Sequence, residues 1–188
     1  MFKMSTLPVY NIQLGGAAGI LKMSLVEDAA VAKDFLAFNS QEKKMMFSID
    51  EEKRIVFGCA LRADFPIYRN DKQNGEYYVV FDKKVIEELY EKFMIEGKQN
   101  DVNLNHSTDT DNCYLIQSFL KDTENGICPT GFEDCADGSW FCAYKVQNDD
   151  VWERVKEGDF NGFSVEGYFI VDKTNEESID EYVKSLLS

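Results

Sequence analysis

The stretch Asn161-Gly162-Phe163-Ser164-Val165-Glu166-Gly167-Tyr168-Phe169 decides how the chain is interpreted. Apolar and polar side chains alternate along it, which is typical of a half-buried strand. The core side would carry Phe163, Val165, Phe169 and Val171, and the other side would carry Ser164, Glu166 and Tyr168. Glycines bracket this strand at Gly162 and Gly167, and glycine permits close approach of another backbone or a sharp bend.

Ser164 has two interpretations. A serine with a carboxylate two positions on, on the same strand face, could be a nucleophile, and the simpler interpretation of this stretch alone is an ordinary polar strand residue. The rest of the chain supplies a single histidine, His106. Serine is a poor nucleophile until a base removes its proton, and histidine is the usual base near neutral pH. A serine hydrolase of the Ser-His type would therefore have to use His106.

Composition narrows the function classes. The chain has 188 residues, 44% of them hydrophobic and 13% aromatic, which predicts one globular domain. A formal net charge of −14 disfavours binding to nucleic acid or to an anionic membrane surface. No apolar run reaches the roughly 20 residues that span a bilayer, and residues 1–8 lack the apolar segment of a signal peptide. We therefore expect a cytoplasmic protein.

No cofactor or metal is expected from the motifs. The chain has five cysteines, an odd number that favours free thiols in a cytoplasmic protein, and it lacks the Cys-x-x-Cys pair of structural zinc sites. The glycines at 15–19 lack the spacing of a phosphate-binding loop. Asp109 and Asp111 resemble the start of a calcium loop, but the required glycine and glutamate are missing.

Periodicity predicts more strands than helices. Helices are expected over 27–38, 83–96, 151–157 and 176–187, and loops over 63–75 and 107–112. Strands are expected over 7–14, 20–26, 44–49, 54–61, 77–81, 114–120 and 140–146, before the Ser164 strand. This order predicts an α+β fold, mostly antiparallel, in which a partly closed β-barrel or bent sheet is surrounded by helices.

The segment from Phe57 to Phe169 resembles the putative phage serine protease (XkdF-like) family, a branch of the tailed-phage prohead maturation proteases. The residues that carry the resemblance are Gly58-Cys59-Ala60-Leu61, Ile67-Tyr68-Arg69, Asn105-His106, Asp137-Gly138-Ser139-Trp140, Val151-Trp152-Glu153-Arg154-Val155-Lys156-Glu157-Gly158 and Gly162-Phe163-Ser164-Val165-Glu166-Gly167. Residues 23–30, Met-Ser-Leu-Val-Glu-Asp-Ala-Ala, also look like that family's opening.

The resemblance implies a fold similar to the herpesvirus assembly proteases and a serine endopeptidase activity. It implies cleavage of phage scaffold and major capsid protein inside an assembling procapsid in the bacterial host cytoplasm, usually with self-cleavage and by a homo-oligomer. The single domain, 1–188, would comprise N-terminal strands and a helix (1–54), a catalytic core (55–171) and a C-terminal helix (172–188). A non-catalytic structural or adaptor protein of the phage head is the alternative.

The resemblance carries over Ser164 as nucleophile and His106 as base, and it leaves the third catalytic group open. The herpesvirus enzymes use a second histidine, which this chain lacks. Glu166 is the first choice because it shares a strand face with Ser164, and Asp109 and Asp111 are the alternates. Backbone amides would form the oxyanion hole, with Gly162 as one candidate. Rival nucleophiles are Ser139, or Cys113 or Cys135 in a cysteine protease.

Overall fold

The computed structural model describes residues 6–16, 18–27, 47–72 and 74–186. The helix predicted over 27–38 lies outside these ranges except for its first residue. The described part folds into strands and three helices, in the order β1 (Pro8–Gln13), β2 (Gly19–Val26), β3 (Ser48–Asp50), β4 (Ile55–Leu61), β5 (Ile67–Asp71), β6 (Gly75–Val80), α1 (Lys83–Ile95), β7 (Val102–Leu104), β8 (Thr108–Thr110), β9 (Cys113–Leu120), β10 (Trp140–Val146), α2 (Asp149–Glu157), β11 (Gly162–Tyr168), β12 (Ile170–Ser178) and α3 (Ile179–Leu186).

The strands form three four-stranded sheets, with the orders β12-β1-β6-β5, β3-β4-β10-β9 and β11-β2-β7-β8. Most neighbouring strands are antiparallel, as predicted, whereas β1 pairs with β6 and β2 pairs with β7 in parallel. We call the third sheet the site sheet, because both Ser164 and the strand that leads to His106 belong to it. The fold is thus α+β with mixed sheets.

The predicted partly closed barrel is wrong: no sheet among the described strands closes on itself. The reason is a bent ribbon. The consecutive strands β1 and β2 pair with β12 and β11, respectively. The β1–β2 segment and the β11–β12 segment therefore pass from one sheet to the next at the same place. Gly167 permits this crossing, because a Cβ built on it would lie 2.2 Å from the Gly19 carbonyl oxygen. The expectation that glycine here allows close backbone approach is confirmed.

Helix α1 begins and ends where the sequence predicts. Asp82 caps it by accepting a hydrogen bond from the Val85 N–H (2.8 Å), and Gly97 follows it with a φ of +73°. Left-handed backbone of this kind favours glycine. The apolar stripe of the helix buries Ile86, Leu89 and Phe93. The Phe93 ring packs edge-on against Trp140 of β10 at 5.3 Å, which fixes α1 against the second sheet.

The other two helices also bury their apolar faces. Asn148 caps α2, whose buried residues are Val151, Trp152 and Val155. The predicted C-terminal helix begins later than expected, at Ile179, because β12 extends to Ser178 and pairs with β1. Its Ile179, Tyr182 and Val183 pack against a small cluster around Val9 and Tyr78, so α3 packs on the domain as predicted.

Four short or polar strands, β5, β7, β8 and β12, were missed by the sequence prediction. β5 lies in the predicted loop 63–75, and β8 lies in the predicted turn 107–112. Both are edge strands of their sheets, where polar residues are tolerated because one face and one edge meet solvent. β12 replaces the first residues of the predicted C-terminal helix. In the described part of the chain, no helix is long and apolar enough to cross a membrane.

Candidate active site

Ser164 lies at the edge of the site sheet, directly opposite a second serine. The antiparallel register pairs Ser164 with Ser24 of β2, and the parallel register on the other side pairs Ser24 with Asn103 of β7. Directly paired residues share a sheet face, with Cβ atoms about 4.5–5.5 Å apart in antiparallel pairs. Ser164, Ser24 and Asn103 therefore form a polar row across three strands. Glu166 is paired with Lys22 on the next row.

His106 reaches this row from a tight hairpin turn. Asn105 and His106 both have positive φ, +50° and +55°, and the Ser107 N–H donates to the Leu104 carbonyl at 3.0 Å. Two consecutive left-handed residues closed by this bond make a type I′ turn, which joins β7 to β8. Asn105 anchors the turn: its N–H donates to the Leu25 carbonyl at 2.9 Å, and its side chain exchanges two hydrogen bonds with Glu27.

The His106 ring lies over β2 and touches two other members of the site. Its Nδ1 is 2.9 Å from Ser24 Oγ and 3.7 Å from Glu166 Oε2. The ring is thus hydrogen-bonded to the serine that faces Ser164, and among the described residues it makes no hydrogen bond to Ser164 itself. The predicted base, nucleophile and carboxylate nevertheless lie on one sheet face, within two neighbouring rows.

The Glu166 side chain is held by a residue of β7, two strands away in the site sheet. Asn103 Nδ2 donates to Glu166 Oε2 at 2.6 Å, so the glutamate side chain reaches over β2 to the strand beyond it. This bond also fixes the Asn103 amide, because only the nitrogen can donate to a carboxylate. The other amide atom, Oδ1, is buried and has no hydrogen-bond partner in the described part of the chain. An unpaired buried acceptor costs about 1–3 kcal/mol.

The two alternate carboxylates have other partners. Asp109 of β8 forms an ion pair with Lys22, and Asp111 accepts a hydrogen bond from Asn148 Nδ2 at 3.2 Å. The hydrogen bond to Asp109, followed by the attraction of Asp109 and Glu166, raises the pKa of Lys22. Of the three carboxylates that the sequence offered as a third group, Glu166 is the one that the structure places next to the His106 ring.

Burial differs between the members of the site. Ser24 is completely buried and Ser164 is 6% exposed, whereas the His106 and Glu166 side chains are 41% and 39% exposed. The ring and the carboxylate therefore line a surface that a large ligand can reach, and the two hydroxyls lie beneath them. Ser164 is on the outermost strand of the site sheet, while Ser24 is on a strand with neighbours on both sides.

The rival nucleophiles lie in other parts of the fold. Ser139 Oγ accepts a hydrogen bond from the Ala63 N–H at 3.0 Å and is fully buried, which gives it a structural function. Cys113 is buried in β9, and burial raises the pKa of its thiol to about 11. Cys135 is buried with Phe132 and Phe141, and a hydrogen bond with Cys59 lowers its pKa. Gly162, the candidate oxyanion donor, begins β11.

Sequence reasoning missed Ser24 and Asn103. Ser24 belongs to a strand that was predicted over 20–26, and its one signal is a serine among apolar residues, Met23-Ser24-Leu25. Asn103 precedes His106 by three residues and has no distinguishing pattern. Strand pairing brings both to the site, and the pairing of β2 with β7 joins segments nearly 80 residues apart. No group of three or more metal-binding side chains occurs among the described residues.

A histidine, a carboxylate and serine hydroxyls gathered on one sheet face are the side-chain types that serine hydrolases use. Comparison with known proteins agrees with this class. The family model described as "Putative phage serine protease XkdF" matches residues 42–173, well over half of the chain, and the chain belongs to this family. The matched range includes His106, Ser164 and Glu166 and ends before α3.

A curated relative gives the same family. The chain is 27% identical over 158 residues to "Phage-like element PBSX protein XkdF" of Bacillus subtilis (strain 168). The match covers 80% of this chain and 52% of the relative, so the chain spans about half the length of the curated relative it matches. No solved structure matches the chain, and the expected similarity to the herpesvirus assembly protease fold stays a prediction.

Proposed function

We propose that the protein is a serine endopeptidase of phage head maturation, with Ser164 as nucleophile and His106 as general base. The observation that carries the proposal is the position of the His106 ring, which lies on the face of the site sheet that bears Ser164 and Glu166. The family description supports the class of reaction. The strand and turn that hold these groups are regular elements, so the site is built on a rigid support.

The proposed reaction is peptide hydrolysis through an acyl-enzyme. Ser164 Oγ attacks the scissile carbonyl carbon, and its proton passes to His106 as the C–O bond forms. The C–N bond then breaks, and His106 returns the proton to the leaving amine. A water molecule attacks the acyl-enzyme ester by the same path and releases the new carboxyl group and Ser164. For this transfer Ser164 and His106 must approach each other, since the ring is hydrogen-bonded to Ser24 in this structure.

Glu166 stabilises the positive charge that the ring acquires during the reaction. Its Oε2 is 3.7 Å from Nδ1, and the bond from Asn103 prevents it from rotating away. A carboxylate at this distance attracts the positive charge that the ring carries once it has taken the proton of Ser164. Backbone N–H groups near Ser164, with that of Gly162 as first candidate, would bind the oxyanion.

The substrates under this proposal are scaffold and major capsid protein segments in an assembling procapsid, where the chain acts as a homo-oligomer in the host cytoplasm. The site surface is compatible with a protein substrate. The exposed face around His106 is polar, with Lys22 and Asp109 at its border, and the exposed ring of Tyr168 lies farther along β11.

Labelling with a fluorophosphonate, followed by peptide mapping, tests the nucleophile. The reagent should modify Ser164 in the wild-type protein assembled with its scaffold and capsid proteins, and the label should be lost in Ser164→Ala and in His106→Gln. Ser139→Ala, which removes a buried serine just before β10 and outside the site sheet, is the matched control and should label normally. An adduct on any other serine, or equal labelling of Ser164→Ala, would exclude Ser164 as the nucleophile.

A second function is favoured by one observation. The hydrogen bond of His106 goes to Ser24 rather than to Ser164, and Ser164 is mostly buried. This arrangement also suits a structural or adaptor protein of the phage head that has kept the fold without the activity. Such a protein would remain unlabelled in assembled heads, and the capsid proteins would keep their full length when it is present.

A further inference from the structure

The geometry points to Ser24 as the residue that orients His106 for the reaction proposed above, through a hydrogen bond to Nδ1. The inference rests on the proposed function for its catalytic meaning, but the orientation itself is a property of the folded protein. The sequence analysis left this position open, and the candidates it named, Glu166, Asp109 and Asp111, are all carboxylates. Ser24 is a positioning residue in this account, since it acts through His106 and does not touch the substrate.

Distance favours Ser24 over Glu166 as the direct partner of the ring. Ser24 Oγ is 2.9 Å from Nδ1, within ordinary hydrogen-bond range, whereas Glu166 Oε2 is 3.7 Å away and beyond it. Glu166 Oε2 accepts its 2.6 Å hydrogen bond from Asn103 Nδ2 instead. The two groups therefore act differently on the ring, because Ser24 fixes its orientation and Glu166 supplies negative charge nearby.

The proposed reaction sets the direction of the Ser24 hydrogen bond. A hydroxyl has one proton to donate and two lone pairs, so Ser24 Oγ can either donate to Nδ1 or accept from it. Because Nδ1 lies against Ser24, the nitrogen left to take the proton of Ser164 is Nε2. A neutral ring that accepts a proton on Nε2 carries its own proton on Nδ1, and Ser24 Oγ then accepts from Nδ1–H.

This tautomer leaves Nε2 unprotonated and able to accept a proton. In a neutral histidine, the hydrogen bond that one ring nitrogen makes decides which of the two nitrogens carries the proton. A base that must take the proton of Ser164 needs a free lone pair, and the Ser24 bond reserves Nε2 for that purpose. The third member of a catalytic triad does the same when it holds the imidazole in one tautomer.

Ser24 is unsuited to be the nucleophile in spite of its bond to the ring. It is completely buried on β2, which has β11 on one side and β7 on the other. A peptide carbonyl could reach its hydroxyl only if one of these neighbours separated. Ser164 lies on the outermost strand of the same sheet and is 6% exposed.

Nuclear magnetic resonance of the ring nitrogens tests the orientation without any substrate. Because His106 is the single histidine of the chain, both ring ¹⁵N resonances belong to it, and their couplings to the ring C–H protons distinguish Nδ1 from Nε2 and so give the tautomer. We expect the Nδ1–H form in the neutral wild-type ring. Ser24→Ala should shift the population to Nε2–H, and Ser24→Thr, which keeps the hydroxyl and suits a strand, should retain Nδ1–H.

Two further variants separate Ser24 from its neighbours. Glu166→Gln should keep the Nδ1–H tautomer, because the serine is the direct partner. Ser139→Ala, which also loses a buried serine hydroxyl, should leave the spectrum of His106 unchanged. If Ser24→Ala does not fold, the wild-type and Glu166→Gln spectra still decide the question. An Nε2–H wild type, an unchanged tautomer in Ser24→Ala, or a tautomer that depends on Glu166 would each overturn the inference.

Kinetics link the orientation to the reaction. Loss of one neutral hydrogen bond predicts a fall of about tenfold in kcat for Ser24→Ala with KM nearly unchanged, and recovery in Ser24→Thr. A change confined to KM, or a fluorophosphonate adduct on Ser24, would contradict a positioning role. If the wild-type protein cleaves nothing, the proposed function fails, whereas the tautomer of His106 still supports or refutes the role of Ser24 in holding the ring.

Discussion

Replacing Glu166 with glutamine removes a negative charge next to the proposed base with little change of shape. The glutamine can still accept the hydrogen bond from Asn103, so the fold of the site sheet should persist. Glu166 Oε2 is 3.7 Å from His106 Nδ1. At this separation a unit charge pair interacts with about 1 kcal/mol in water and about 4 kcal/mol at an effective dielectric constant of 20.

The lower part of this range of interaction energies applies, because both side chains are partly exposed. The two side chains are 41% and 39% exposed, so solvent screens the pair substantially. We therefore expect the transition state to lose about 1–2 kcal/mol, which lowers kcat/KM by about 5- to 30-fold. The measurement is the initial rate of cleavage of a purified scaffold or capsid-protein segment from the same phage. Raising the salt concentration to about 1 M should shrink the difference, because exposed charges are then screened.

Asp109→Asn is the matched control for this variant. Asp109 lies one strand beyond Asn103 and pairs with Lys22, so its charge serves that pair and not the ring. Its replacement should change kcat/KM by less than about twofold, as is usual for exposed ion pairs. The reasoning is refuted if Glu166→Gln cleaves at the wild-type rate in low salt, or if Asp109→Asn loses more activity than Glu166→Gln.

Three other predictions concern the fold around the site. Gly167→Ala should destabilise the protein by about 1–3 kcal/mol in urea denaturation, because its Cβ would meet the Gly19 carbonyl oxygen at 2.2 Å. Gly19→Ala should be milder, because its Cβ meets only the flexible end of the Lys92 side chain at 3.2 Å. Equal losses would show that the crossing is not tight. Lys121→Met should cost about 2–4 kcal/mol in the same assay, since the buried ammonium donates to the carbonyls of residues 132, 133 and 135 at 3.3, 2.9 and 2.5 Å; an unchanged midpoint would contradict that role. Iodoacetamide at pH 7.5 should modify exposed Cys128 and spare Cys113, whose pKa burial raises to about 11, and cleavage should survive. Inactivation by alkylation would favour the cysteine protease.

The elements that sequence analysis predicted well are those with strong local signals. Helix α1 has an aspartate cap, an apolar stripe and a glycine after its end, and each acts within a few residues. The alternation in the sequence also predicted the strand of Ser164, but this strand ends at Tyr168, and Val171, expected on its core face, lies in β12. In contrast, β8 is short and polar, and its pairing with β7 depends on a type I′ turn built from Asn105 and His106 rather than the usual asparagine and glycine.

The sequence predicted some of the candidate site residues, but it did not predict their contacts. A single histidine and a glycine-flanked serine singled out His106 and Ser164, and the strand face singled out Glu166. The contact between His106 and Ser24 depends on the parallel pairing of β2 with β7, which no local pattern encodes. The expected barrel could not be ruled out from the sequence for a similar reason. The bent ribbon changes sheet through long-range pairing of β1–β2 with β11–β12, and no local pattern encodes this pairing.

The most direct measurement is cleavage of the phage's own scaffold and major capsid protein when each is produced together with the wild-type chain or with Ser164→Ala. Specific fragments should appear with the wild-type chain and fall by at least about a thousandfold with Ser164→Ala, because nucleophile and base act as a unit. Fragments that persist unchanged with Ser164→Ala would show that another group performs the reaction.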